Sequence, residues 1–156
     1  MRYRLITAML AMWGLSGPAG AIELSELDGS PVSSMQQLEG KVLLVDFWAS
    51  WCTPCRKSFP WLNSMQQRHG AAGLLVLAVN EDVDRSDAQR FLQQVPAEFA
   101  VLYDQAGALA QQYQLMGMPS SFLIDKKGQI RYRHIGFKQA DIAGYETQIR
   151  QLLAEE

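Results

Sequence analysis

Cysteine is nearly absent from this 156-residue chain, which has two, Cys52 and Cys55. Two thiols cannot build a four-cysteine zinc site. Histidine is as scarce, and His69 and His134 are too far apart to complete a site of two cysteines and two histidines. There is no basic run: 14 Lys and Arg stand against 16 Asp and Glu, which argues against nucleic acid as a partner. No linker, repeat or low-complexity tract divides the chain, and beyond its first residues no apolar run is long enough to span a bilayer.

The one uncharged apolar stretch lies at the start. Met1-Arg2-Tyr3-Arg4 is basic, residues 5–15 carry no charge, and Ala19-Gly20-Ala21 offers small residues before Ile22. This is the layout of a secretory signal peptide. A spanning helix needs about 20 apolar residues, and Gly14, Gly17 and Pro18 interrupt this one early. The expectation is a cleaved signal over residues 1–21, rather than a retained anchor, and one domain over residues 22–156. No cysteine lies near the cleavage signal, which excludes lipid attachment there. Arg2 and Arg4 would leave with the signal and no acid would, so the remaining domain is more acidic than the whole chain. Export would place it in an oxidising compartment such as a bacterial periplasm.

Against that background the sequence Trp51-Cys52-Thr53-Pro54-Cys55 stands out. Before it, residues 42–48 form an apolar run broken only by Asp46, as expected for a strand buried on both faces. After it, residues 53–69 read as a helix, kinked by Pro60 and ending near Gly70. A strand leading into Cys-x-x-Cys at a helix start is a redox pattern, because the helix N-terminus favours a thiolate. A metal pair and an inert structural bridge are the alternatives. The bridge is the weaker, since so short a loop removes little entropy from the unfolded chain.

The rest of the chain alternates. Residues 24–32 read as a hairpin around Asp28-Gly29, and residues 34–38 as a helical turn ended by Gly40. Strands are expected at 74–79, 98–102, 121–124 and 129–134, the last two joined by a hairpin loop at 125–128. Helices are expected at 86–94, 109–113 and 142–153, the last with Ile142, Tyr145, Ile149, Leu152 and Leu153 on one face. Such alternation gives an α/β sandwich around a mixed sheet.

The segment Val45-Asp46-Phe47-Trp48-Ala49-Ser50-Trp51-Cys52-Thr53-Pro54-Cys55-Arg56 resembles the active-site segment of thioredoxin-fold proteins. The wider pattern is similar to the exported TlpA/ResA-like thiol-disulfide oxidoreductases: an N-terminal hairpin within 24–40, an insert over roughly 83–103, a cis-proline strand at 117–125 and a closing hairpin at 128–136. The resemblance implies a thioredoxin-like three-layer sandwich with a central mixed sheet, N-terminal hairpin and central insert. It implies a monomer without cofactor or metal. It further implies a reductase of protein disulfides, with clients such as an apocytochrome, a metal-site assembly protein or a mis-paired disulfide. Its electrons would come from a membrane thiol transporter of the DsbD or CcdA type. The chain departs from the pattern at Ser58, where relatives often carry Glu, and at Pro119-Ser120-Ser121, where the cytochrome c maturation branch typically has Pro-Glu-Thr. Asp46 matches thioredoxin rather than the many relatives with Asn, but residues 75–79 hold no lysine to pair with it.

These readings assign roles. Cys52 is the candidate nucleophile at the helix start, and Cys55 the resolving thiol one turn in. Asp46, with its carboxyl raised by burial, is the candidate acceptor for the Cys55 proton. Trp51, Pro54, Met118 and Pro119 are candidate substrate contacts. Trp51 supplies a flat apolar face, and a cis Pro119 would leave the Met118 backbone to pair with an extended client. Trp48 reads equally as a flank of the site or as core. His134 is expected to be structural, the alternative being a Cu(I) carrier of the same fold that uses it with the two cysteines. A client-binding module without catalysis is a further reading.

Overall fold

The computed structural model describes residues 25–26, 38, 40–104 and 106–156. Two apolar runs set its centre. Strand β2 (Val42–Trp48) and strand β3 (Leu74–Asn80) lie parallel and in register, Asp46 beside Ala78 and Trp48 beside Asn80. Helix α1 (Thr53–His69) connects them, over the bounds read from the sequence. Helix α2 (Arg85–Gln94) carries the chain to β4 (Ala100–Tyr103), parallel to β3. Helix α3 (Ala108–Gln112) leads to β5 (Ser120–Ile124), which runs antiparallel to β2, and β6 (Ile130–Ile135) pairs antiparallel with β5. With the two-residue strand β1 (Ser25–Glu26), the six strands are ordered β1-β4-β3-β2-β5-β6. Helix α4 (Ile142–Ala154) closes the chain.

Strand alternation feeds two cores, because side chains two residues apart share a face. Val42, Leu44 and Trp48 face α1 and α4, packing with Phe59, Leu62, Met65, Ile149 and Leu152. Val45, Phe47, Leu77, Val79, Phe122 and Ile124 form the other core, covered by Leu109 and Tyr113 at α3. The arrangement is the three-layer sandwich with a mixed sheet that the resemblance implies. Among the described residues no helix is long and apolar enough to cross a membrane.

Four details of the layout were not read from the sequence. Helix α1 does not end in a left-handed Gly70; the chain continues through a 3-10 turn at Gly70–Ala72, and Gly73 takes the left-handed conformation at φ 106°. Strand β4 begins at Ala100 rather than Glu98, because Glu98 is held to α1 instead. Its N–H donates to Asn63 Oδ1 (2.7 Å) and its carboxylate accepts from Gln67. Strand β6 starts after Gln129, whose carbonyl accepts from the Asp125 N–H (2.9 Å) to close the hairpin loop. Strand β1 pairs with Leu102 and Tyr103 of β4, so its partner is the insert strand. The Asp28-Gly29 turn, residues 34–37 and the expected signal lie outside the described residues.

Candidate redox site

Strand β2 ends at Trp48, and the chain turns at once into α1. The turn over residues 49–52 is closed by the Cys52 N–H donating to the Ala49 carbonyl (3.1 Å). Cys52 is the N-cap of α1, with extended backbone at φ −81° and ψ 97°. Pro54 sits in the first turn, where its missing N–H costs nothing. Cys52 and Cys55 form a disulfide with Cα atoms 5.3 Å apart. Cys52 keeps 4% of its surface exposed and Cys55 none, so an incoming sulfur reaches Cys52 first. No acidic residue lies in the first turn of α1. The positive end of the helix dipole therefore meets no intrahelical countercharge beside Cys52, which favours a thiolate there.

Asp46 lies on the face of β2 that also carries Leu44 and Trp48, the face α1 covers. It is fully buried. The Ser121 hydroxyl, directly across on β5, donates to Asp46 Oδ1 (2.6 Å), while Oδ2 has no partner among the described residues. Burial pushes this carboxyl from 3.8 up to about 7, and the Ser121 hydrogen bond pulls part of the way back. On the other side its strand neighbour is Ala78, so no lysine answers it.

The Met118–Pro119 peptide bond is cis. Ser120 pairs with Phe47, which puts Pro119 level with Trp48, at the sheet end where the redox turn begins. The Ser120 hydroxyl donates to the Gly117 carbonyl (2.6 Å), and the Gly136 N–H to the Pro119 carbonyl (2.8 Å), which anchors the segment from both sides. Met118 is half-buried and touches both cores.

The two flanking tryptophans separate cleanly. Trp51 is 70% exposed, whereas Trp48 is fully buried against the rings of Phe59 (5.0 Å) and Phe91 (4.8 Å). Trp48 is core. Ser58 is buried and donates its hydroxyl to the Cys55 carbonyl (3.0 Å). His134 turns away from this site. Its ring stacks on Tyr145 of α4 (3.8 Å) and its Nε2 meets Gln148 Oε1 (2.7 Å), while burial lowers its pKa. Among the described residues no group of three or more His, Cys, Asp or Glu is placed to hold a metal ion.

A second cluster was not read from the sequence. Asn80, Glu81 and Asp82 leave the end of β3 and reach back to the redox turn. The Glu81 N–H donates to the Trp48 carbonyl (2.9 Å). Asp82, buried, accepts from the Ser50 N–H (2.9 Å), the Ser50 hydroxyl (2.8 Å) and the Asn80 amide (2.8 Å). Asp104 accepts from the N–H groups of Ala108, Leu109 and Ala110 at the start of α3. Burial, then the adjacent Asp104, pushes the Glu81 carboxyl up to about 8. The available signal was a polar triplet directly after a buried strand, at the sheet end where ligands gather in α/β folds.

A family model described as Redoxin matches residues 14–149. The chain belongs to the Redoxin family. Within it, this redoxin is of the ResA and DsbE type. It is 29% identical over 107 residues to the thiol-disulfide oxidoreductase ResA of Bacillus thuringiensis, a match covering 69% of this chain and 61% of that protein. It is 34% identical over 139 residues to the thiol:disulfide interchange protein DsbE of Tatumella citrea, covering 88% of this chain and 73% of the relative. A crystal structure described as a DsbE from Chlorobium tepidum superposes with a TM-score of 0.80 at 46% identity, covering 85% of this redoxin and 92% of that chain.

Proposed function

We propose that this redoxin is an exported thiol-disulfide oxidoreductase that reduces disulfides in other exported proteins. The observation that carries the reading is one constellation: a Cys52–Cys55 pair at a helix start, with a buried carboxyl near pKa 7 on the sheet face beneath that helix. The Cys52 thiolate attacks one sulfur of the client disulfide; that bond breaks, and the other client sulfur leaves as a thiolate. Cys55 then gives its proton to Asp46 and attacks the Cys52 sulfur of the mixed disulfide. The second client thiolate departs, and the Cys52–Cys55 bond seen in this structure is left. Two electrons have passed to the client, so a dithiol donor must restore the pair. In an oxidising compartment a membrane thiol transporter of the DsbD or CcdA type suits that role, and the basic start and uncharged apolar run at residues 1–15 support an exported setting.

Trp51 offers the exposed apolar face beside Cys52 and Pro54 is exposed as well, while half-buried Met118, set by the buried cis Pro119, would pair with the client through its backbone. Thiol trapping in intact cells tests the direction. A reductase supplied with electrons keeps Cys52 and Cys55 mostly as thiols; a mostly oxidised pool would reverse the assignment.

A further inference from the structure

The redox turn is held from outside as well as by its own hydrogen bond. Ser50 is the second residue of the turn, two before Cys52. Its N–H lies 2.9 Å and 3.2 Å from the two Asp82 oxygens, and its hydroxyl 2.8 Å from Oδ1. Asp82 is itself fixed: Oδ2 accepts from Asn80 Nδ2 (2.8 Å), and the Asp82 N–H donates to Asn80 Oδ1 (3.1 Å). One residue earlier, the Glu81 N–H is bound to the Trp48 carbonyl (2.9 Å). Two residues later, Asp84 caps α2 through the Ser86 N–H (2.8 Å). The stretch 80–84 is thus a strap running from β3 to α2 that grips the turn carrying Trp51 and Cys52.

We propose that Asp82 is a positioning residue that clamps the redox turn through Ser50 and, by its charge, makes the reduced Cys52–Cys55 pair a stronger electron donor. This rests on the dithiol cycle proposed above. In the disulfide neither sulfur is charged, so a nearby carboxylate has little to act on. After reduction Cys52 carries thiolate charge, and a like charge close by raises its energy. The reduced form is penalised and the oxidised form is not, so electrons leave more readily. The dipole of α1 acts in the opposite sense. Its first turn contains no acid, so the opposing charge comes from across the turn, from β3. Glu81 and Asp104 belong to the same neighbourhood, and burial, then Asp104, pushes the Glu81 carboxyl up to about 8; of the three carboxyls, that of Asp82 is the one hydrogen-bonded to the turn.

The test is the equilibrium constant of the full-length protein against glutathione redox buffers, together with the Cys52 thiol pKa read from thiolate absorbance. Asp82→Asn keeps the side chain's size and one oxygen to accept from Ser50, gives up the bond from Asn80, and removes the charge. A like-charge interaction that moves the Cys52 thiol by about one pKa unit is worth about tenfold in equilibrium, so this variant is expected to hold its electrons about tenfold more tightly, with a lowered Cys52 pKa. Ser50→Ala leaves the carboxylate in place with one donor fewer and is expected to give a smaller shift of opposite sign. A folded Asp82→Asn protein with both quantities unchanged would overturn the proposal. If that variant does not fold, Ser50→Ala decides, since no shift, or one toward tighter electron retention, is equally fatal. The dithiol reading fails separately, if the wild-type protein equilibrates with glutathione but does not reduce protein disulfides.

Discussion

Asp46 and Asp104 are two buried carboxylates in the same small domain, and they are opposites. Asp104 sits at the start of α3 with three backbone N–H groups pointed at it. Asp46 sits in the central strand with one hydroxyl on one oxygen and nothing described on the other. Burial is common to both, so burial alone does not make a proton acceptor. A full set of donors makes a carboxylate part of the scaffold. Burial with a donor on one oxygen alone leaves a carboxyl with a raised pKa and a free lone pair, as the proposed proton transfer requires.

Substitutions can break the contrast, and the largest effect is expected at Asp46. Asp46→Asn should slow resolution of the mixed disulfide by about 100-fold, within the usual range for a lost general base, and leave formation of that species nearly unchanged. Stopped-flow trapping of the Cys52–client adduct measures both steps; equal slowing of the two would assign Asp46 a structural role. Its stability effect carries a definite sign. The folded pKa of Asp46 is raised from 3.8 to about 7, so its contribution is fully present below pH 3.8 and is lost as pH rises through about 7. Denaturant midpoints of the wild type should fall over that window, and the Asn variant should lose this part of the slope.

Asp104→Ala should do the reverse. Three helix-start N–H groups lose their acceptor, at a cost of about 2 kcal/mol, while the resolution rate of the folded fraction stays near wild type. The Glu81 carboxyl, relieved of a negative neighbour, should also titrate lower than about 8. Urea unfolding and carboxyl-carbon NMR titration report these two results.

The smallest change sharpens the contrast instead of breaking it. Ser121→Ala removes the only described hydrogen bond to Asp46, and that bond lowers its pKa. The inflection in resolution rate against pH should therefore move above about 7, by up to about one unit. An inflection that stays put or moves down would show that the hydroxyl is not what tunes the carboxyl.

How much of this was legible depends on whether the cause was local. Helix α1 was read with its observed bounds because Thr53, Pro54 and a long run of helix-forming spacing all lie within it. Asp46 was legible because a lone acid in an apolar strand has no local explanation. The cis bond before Pro119 came only from the resemblance, since most such bonds are trans. Trp48 read equally as flank or core, because its neighbour Phe91 arrives from the distant helix α2. The Asp82–Ser50 clamp spans 32 residues and exists only because β3 lies beside β2. The late start of β4 has the same origin, in side chains of α1 that compete for Glu98.

Asp46 also occupies a particular mechanical position. It is in β2, which is paired on one side with β3 and on the other with β5, at the middle of six strands. Backbone hydrogen bonds flanked on both sides open only when most of the domain opens. The proposed proton acceptor is therefore mounted on the strand expected to open last, while Cys52, Cys55 and Trp51 ride on a turn and a helix start at its rim. Whatever rearrangement a client demands is taken up at that rim, and the distance a proton must cover is set from a reference point that does not move.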